Sequence, residues 1–497
     1  MDLALTLRSD HGLFIMREEQ SIVWRIQHSG RIIVSLVYFS LFLDNVLLTV
    51  VVPIIPDYLY KLEHGKSNQT EKDSLRYDLD NDTATTVNNS RIFVGIVAYI
   101  ENRSSEGITQ LDLPEQIGLF FATKAFVQLV ANTLVGQFTN RVGYTIPLLV
   151  GSLTLLISSL LFALERNVAL LFVARGVQGI GSACTAIGGM ALVADRYPDD
   201  KDRSKVMGIA MGGIATGVLV GYPFGGVMYN FVGKASPFLI LAGLIFLNVV
   251  LQFIILQPRV APETMLQPSP LKLLVADPYI LIACGAVWVS TSAMAVLEPC
   301  LPVWLMDTME LPRWQLGTVF VPDSVGYLLG TNLFGSVAFR IGRWLAALVS
   351  LLVVGVCALG VPLATRMVHL IVPHFGLGLG IGITDAALMP LLAHVVDTRH
   401  VAMYGTVYSI VQVAVSLAYS IAPLVGGVLV QWVGFPWLIR SLGILNIIYS
   451  PLCFLLRKAE SKEEDKPIVM DSSLEESYQS IGKLISYSRF FNEDVEG

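Results

Sequence analysis

Apolar runs of about 20 residues, separated by short polar stretches, recur along the whole chain. Their centres fall near residues 44, 127, 154, 181, 217, 246, 289, 326, 354, 380, 415 and 446. A helix of that length rises about 30 Å, the thickness of bilayer hydrocarbon, so the pattern predicts an all-α membrane protein with twelve transmembrane helices. The run near 380 is rich in glycine and is the weakest of the twelve. The apolar piece Ile92 to Ile100 is too short to span and reads as a lid or as plain loop. The first 30 residues mix Arg8, Arg17 and Arg25 with Asp2, Asp10, Glu18 and Glu19, and the first run follows without a small-residue cleavage site, which predicts a retained first helix rather than a cleaved signal.

One interhelical stretch, 61–115, is long and polar, and it holds all four N-x-[ST] sequons of the chain, at Asn68, Asn81, Asn88 and Asn102. Confinement of every sequon to one stretch places it on the luminal or external side. Basic residues fall in the alternate loops: Arg141, then Arg196, Lys201, Arg203 and Lys205, then Arg340 and Arg343, Arg399, and finally Arg457 and Lys458. The positive-inside rule assigns these loops, and with an even helix count both termini, to the cytosol.

The loop after the second run reads Gly136, Asn140, Arg141, Gly143, Tyr144, and the loop after the eighth reads Gly335, Phe339, Arg340, Gly342, Arg343. Both follow G-x-x-x-z-R-x-G, roughly 200 residues apart, as two six-helix repeats require. A second pair keeps nearly the same offset: Gly225, Gly226, Phe231, Gly233 and Pro237 against Gly426, Gly427, Trp432, Gly434 and Pro436. The expected division is a cytosolic segment 1–30, a first half 31–256, a connector 257–278, a second half 279–456 and a cytosolic tail 457–497. Two parallel halves imply a central cavity and a rocking motion about it. The repeated loop resembles the signature loop of the major facilitator superfamily, with Asn140 in place of its Asp and Tyr144 in place of its last base. The glycines Gly208, Gly217, Gly221, Gly225 and Gly226 of the fifth run resemble that superfamily's antiporter motif, and they equally suit close helix packing.

Composition narrows the classes. Charged residues make up 14% and hydrophobic ones 54%, about half the usual charge of a soluble domain. A net charge of -6 gives no basic face for nucleic acid. The five cysteines, Cys184, Cys284, Cys300, Cys357 and Cys453, form no CxxC pair and lie in or beside apolar runs, so neither a metal nor a disulfide framework is expected. No nucleophile–base pair, cofactor motif or phosphate loop points to an enzyme.

Six ionisable residues stand inside the runs: Asp44, Lys124, Arg175, Glu298, Asp323 and Asp385. Asp44 is the one charge between Ile32 and Ile55. A charge at mid-bilayer costs about 2.5 kcal/mol or more, and such residues usually mark an ion or substrate path. Desolvation disfavours the charged form of a carboxylate, which then holds either a proton or an organic ammonium but hardly both. That exclusion is the minimum required for proton–cation exchange. Lys124 is expected either to pair with an aspartate or to snorkel outward, and Arg175 to meet a structural partner or the substrate. Glu298 lies close enough to its helix end to be solvated. Tyr327, Tyr419 and Trp304 can complete an aromatic cage for an ammonium, or serve packing alone.

Longer strings carry a resemblance. Leu43-Asp44-Asn45 through Pro53 and Pro56, Leu297-Glu298-Pro299, Tyr327 to Asn332, and Asp397 through His400 to Gly405 are similar to those of the vesicular amine transporters, over about residues 31–458. The monoamine branch fits better than the acetylcholine branch, through the Tyr327 to Asn332 string. The resemblance implies a carrier that loads cytosolic amines into acidic secretory or synaptic vesicles in exchange for luminal protons. It implies that Asp44 and Asn45 bind the amine, that Glu298 and Asp385 bind amine or protons, and that Lys124 pairs with a carboxylate. It further implies that Trp304 helps close a luminal gate and that His400 takes part in coupling. Three positions depart from the family: Gln412 replaces an aspartate, Asp323 replaces a small residue, and the luminal cysteine pair is absent, Glu310 standing at one position. Asp323 either assumes part of the missing carboxylate's role, or merely pairs with a luminal-side base or faces water at the luminal mouth. The tail segment Glu463, Glu464, Asp465, Ile468, Val469 resembles an acidic dileucine-type signal read by sorting adaptors, and equally a disordered acidic tail. Membrane lipid, an amine and protons are the other expected partners. Two other readings stay open: a carrier of a different organic cation, acetylcholine included, and a non-transporting membrane sensor.

Overall fold

A computed structural model describes residues 29–77, 113–164, 168–256, 271–309, 318–400 and 404–460. Twelve long helices occur among them: α1 Gly30–Tyr77, α2 Leu113–Val142, α3 Thr145–Leu164, α4 Val168–Arg196, α5 Asp200–Phe231, α6 Ser236–Leu256, α7 Pro278–Met309, α8 Val321–Ile341, α9 Arg343–Gly360, α10 Ile371–Arg399, α11 Tyr404–Val433 and α12 Phe435–Tyr449. A 3-10 segment, Ser450–Leu456, prolongs α12, and a short helix, Leu271–Ala276, precedes α7. Eleven of the twelve are long and apolar enough to cross a membrane. The exception is α8, which carries Asp323 in its first turn and Arg340 in its last, and is diluted between them by Ser, Gly, Thr and Asn. The glycine-rich α10 is one of the eleven.

One expectation needs correcting. α1 does not stop near residue 61 but continues to Tyr77, so the first part of the expected polar loop, with Asn68, is helical. The cause is local: beyond Pro56 the chain runs to Tyr77 without another proline, and Leu, Lys, Glu and Gln are good helix formers. The other three sequons, the 92–100 segment and most of the tail lie outside the described residues.

The two halves share one plan. In the first, α1 packs on α5, α2 on α4, and α3 on α4 and α6; in the second, α7 packs on α11, α8 on α10, and α9 on α10 and α12. The halves meet through α2 against α11 and α5 against α8, the contacts that a pseudo-twofold axis would exchange. The backbone repeats as well. Among the described residues, the glycines with positive φ are Gly143 (90°), Gly342 (99°), Gly233 (119°) and Gly434 (81°), and all sit in the two repeated strings. Each ends one helix and starts the next, a turn that a side chain would strain.

Large apolar side chains such as Leu134, Phe253, Val356 and Ile448 face outward, as they do toward lipid. Inside, the packing is asymmetric from end to end. At the end bearing the Arg141 and Arg340 loops, here the motif end, one apolar core crosses both halves and joins Val37, Ile187, Met190, Met207 and Met211 to Leu388, Leu391, Val407 and Tyr408. Toward the opposite end, from which α1 leads to the sequons, the core divides. One cluster around Leu47, Phe120, Phe162 and Phe238 belongs to the first half, and another around Leu297, Leu301, Leu377 and Ile439 belongs to the second. Tyr222 reaches across there to stack on Phe320, centroids 6.2 Å apart.

Where water exclusion offers no driving force, close packing holds helices together, and small residues permit it. Gly213 of α5 faces the Tyr38 carbonyl of α1, and a Cβ at that position would overlap the oxygen. Gly213→Ala is therefore expected to cost about 1–3 kcal/mol by overpacking. Thermal melting of the detergent-solubilised variant should fall, whereas Gly243→Ala, with open space around its Cβ, should melt like the parent.

Candidate functional site

Asp44 lies 14 residues beyond Gly30 on α1, and Asp385 lies 14 residues before Arg399 on α10. Both therefore stand about 21 Å from the motif end, near mid-depth. Asp44 is buried, and its Oδ1 accepts a hydrogen bond of 2.6 Å from the Ser182 hydroxyl of α4. Asn45 beside it donates to the Leu41 carbonyl at 2.8 Å, and its Cβ packs where Gly217 of α5 leaves room.

Two bases face this carboxylate. Lys124 and Arg175 both act electrostatically on Asp44. Gly179 of α4 brings the two helices close, since a Cβ there would sit 2.6 Å from the Lys124 carbonyl oxygen. Arg175 is 2% exposed and fills its place by three contacts: Nη1 donates to Gln178 at 2.8 Å, and the guanidinium lies 5.4 Å and 5.5 Å from the rings of Phe120 and Phe121. Both bases also feel Glu298 of α7, so the charge network crosses from one half to the other.

In the second half, the Tyr327 hydroxyl donates to Asp385 Oδ2 at 2.8 Å, while Asp385 Oδ1 is buried without a hydrogen-bond partner. Glu298 acts electrostatically on Asp323 of α8, on Tyr222 and on Tyr419 of α11. Asn45, Lys124, Tyr222, Glu298, Tyr327, Gln412 and Tyr419 are each partly buried. Lys124, Tyr222, Glu298 and Tyr419 interact with groups of the opposite half, so they face the seam between the halves rather than lipid. The arrangement offers carboxylates at mid-depth, tyrosine faces and hydroxyls beside them, and two bases as internal counter-ions. An organic ammonium or a proton can take the place of those counter-ions.

Two expected residues are not part of this group. Trp304 stacks on Phe435 of α12 with centroids 5.0 Å apart, inside the second half. His400 Nε2 lies 3.0 Å from Asp277 Oδ2, which also accepts from Arg399 Nε at 3.0 Å. Asp277 Oδ1 accepts from the Tyr279 amide at 2.9 Å. Burial pushes the Asp277 carboxyl up, but the bonds from His400, Tyr279 and Arg399 outweigh it and hold the group below the usual carboxylate range.

The motif end carries its own polar clamp. Arg203 of α5, 1% exposed, binds Asp397 of α10 at 2.6 Å and Asp200 at 3.1 Å. Asp200 also pairs with Arg343 of α9, and His394 Nδ1 lies 3.6 Å from it. The Tyr404 hydroxyl donates to Asp397 at 2.6 Å. On the other flank, Asn140 of the repeated loop donates to Thr406 at 2.6 Å and accepts from the Gly405 amide at 3.0 Å, which caps the start of α11. An amide supplies both the donor and the acceptor here, which a carboxylate cannot do.

Sequence reasoning missed Ser182, Gln178, the role of Tyr222, and the Arg203–Asp397 pair. Ser182 sits among glycines that read as a packing surface, and Arg203 counted as one more basic loop residue.

A family model described as Major Facilitator Superfamily matches residues 34–409. The synaptic vesicular amine transporter of Bos taurus is 44% identical, over 96% of this chain and 98% of that one. The vesicular acetylcholine transporter of Rattus norvegicus is 34% identical, over 92% and 88%. Among solved structures, a human organic anion transporter superposes with a TM-score of 0.63 at 15% identity, covering 87% of this chain and 99% of that one. At that identity the likeness concerns the fold alone.

Proposed function

We propose, since the chain belongs to the vesicular amine transporter family of the major facilitator superfamily, that it loads cytosolic monoamines into acidic secretory or synaptic vesicles in exchange for luminal protons. The observation that carries this reading is a mid-depth acid in each half, Asp44 interacting with Lys124 and Arg175, and Asp385 bonded to Tyr327, with Glu298 linking the halves. In this reading the motif end is cytosolic and the sequon end luminal. An amine entering from the cytosol sets its ammonium against Asp44, with Asn45 beside it, and releases Lys124 toward Glu298. Once the halves rock, protons from the lumen neutralise the acids and the ammonium leaves. The sealed motif end and the divided core at the other end suit the lumen-facing stage of that cycle. Higher identity to the synaptic vesicular amine transporter than to the vesicular acetylcholine transporter favours an amine other than a choline ester.

The test is uptake of labelled catecholamine, indoleamine and acetylcholine into vesicles acidified inside, with and without a proton ionophore. Monoamine uptake that the ionophore removes supports the reading. Uptake indifferent to the ionophore, or confined to acetylcholine, overturns it. The orientation has a separate check: glycosidase should raise the gel mobility of protein made in secretory membranes, and unchanged mobility together with protease-accessible sequons in sealed vesicles would reverse the topology.

A further inference from the structure

His374 is fully buried in the first turn of α10, and both of its ring nitrogens are without hydrogen-bond partners. Asp323, in the first turn of α8, is 8% exposed, and its Oδ1 is likewise buried without a partner. Buried polar groups in folded proteins are nearly always bonded, so two orphans in one place call for a ligand or a role.

They share one seam. Asp323 packs on Gly378, whose missing Cβ would lie 2.8 Å from Asp323 Oδ1. Positions 374 and 378 are one turn apart on one face of α10, and helical side chains tilt toward the N-terminus, so the imidazole lies on the same seam about one turn nearer the sequon end than the Asp323 contact. From the α8 side, Phe320, three residues before Asp323, meets the His374 ring edge-on with centroids 5.9 Å apart. Gly326 lies against the Phe375 carbonyl and the Leu379 amide, which keeps the two helices close along this stretch.

We propose that Asp323 and His374 form a second proton site, at the sequon end of the seam between α8 and α10, which passes its proton to Glu298 at the central cavity. An imidazolium and a carboxylate exchange one proton across one water, the ring giving what the carboxylate accepts and regaining a proton from the sequon side, and no other reactant is needed. The electrostatic contact between Asp323 and Glu298 supplies the link to the cavity. The groups facing Asp323 are Glu298 from α7, Tyr222 from α5, Tyr419 from α11 and Tyr327 of α8 itself. Cys357 of α9 packs against Gly376 on the adjoining face of α10. None of these is a nitrogen base, so His374 is the imidazole of the seam among the described residues.

This inference rests on the proton exchange proposed above, and its experiment separates the two. Asp323→Asn, His374→Gln and the double variant are reconstituted in vesicles, and initial amine uptake is followed as luminal pH is varied at fixed external pH. Each single change should lower uptake about fivefold or more at mildly acidic luminal pH and move the pH profile. The double should do no more harm than the worse single. Unaltered profiles in both singles, or a double equal to the product of the two, overturn the proposal. A second arm needs no transport: in protein labelled with 15N-histidine, the His374 resonance, assigned by its loss in His374→Gln, is titrated with and without Asp323→Asn. Midpoints that differ by a unit or more support the pair, and identical titrations overturn it. A wild-type protein that moves no amine would sink the transport reading and leave the second arm to decide the pair.

Discussion

Asp44→Asn should abolish proton-driven amine uptake while the protein still folds and reaches the membrane. The amide keeps the size of the carboxylate and can still engage the Ser182 hydroxyl, so packing around α1 and α4 survives. It cannot supply a full negative charge to an ammonium. A charge-assisted hydrogen bond in such a site contributes up to about 3 kcal/mol, so amine affinity should fall roughly 100-fold. Asp44→Asn also leaves Lys124 and Arg175 facing a neutral neighbour, with Glu298 as their one remaining acid in this group. The check is equilibrium binding of labelled amine to solubilised protein alongside uptake. Parental affinity in the variant would remove Asp44 from the amine site.

The second large effect is expected at the other end of the cavity. Asp397→Asn takes the nearest carboxylate from Arg203, which is almost wholly enclosed and bonded to it at 2.6 Å. Breaking a buried pair from one side costs about 3–5 kcal/mol where the remaining charge is left uncompensated, and since Asp200 still holds Arg203 at 3.1 Å the cost here lies at or below the lower end. The clamp ties α5 to α10 across the two halves, so the cost falls on the conformer closed at the motif end. A penalty of about 3 kcal/mol moves that equilibrium roughly 100-fold toward the open form. A cysteine introduced at Met207, which is buried in the core joining the halves, reports the change. Labelling by an impermeant thiol reagent from the motif side should accelerate at least tenfold in the Asp397→Asn background, and uptake should fall. Equal labelling rates in the two backgrounds would mean that the apolar core closes this end unaided.

Much of this was written in the chain, and the reasons are physical. Lipid demands helices about 20 residues long, so hydropathy alone located the elements, and a mid-bilayer charge is costly enough that Asp44 and Asp385 stood out. The repeated strings were legible because each carries a glycine that turns the backbone with positive φ, and no other residue serves as well. What stayed hidden depends on which faces meet. Ser182 is a small residue on a glycine-rich helix until α1 is placed against α4. Arg203 could be placed near a cytosolic loop, but its burial against Asp397 follows from α5 crossing the second half. His374 read as one more residue of the weakest run, and its two orphaned nitrogens exist only in the packed seam. The continuation of α1 to Tyr77 was obscured because polarity was taken to mean loop, although Lys, Glu and Gln favour helix in water.

The central claim is that the acids lining one cavity hold either an amine or protons, so that movement of one drives the other. The direct measurement reverses the usual direction: vesicles with equal pH on both sides enclose a pH-sensitive dye, and a monoamine is added outside. The account predicts luminal alkalinisation beyond that of protein-free vesicles, in step with amine entry and absent in Asp44→Asn. Amine entry through the wild-type protein with no alkalinisation beyond the protein-free control would contradict it.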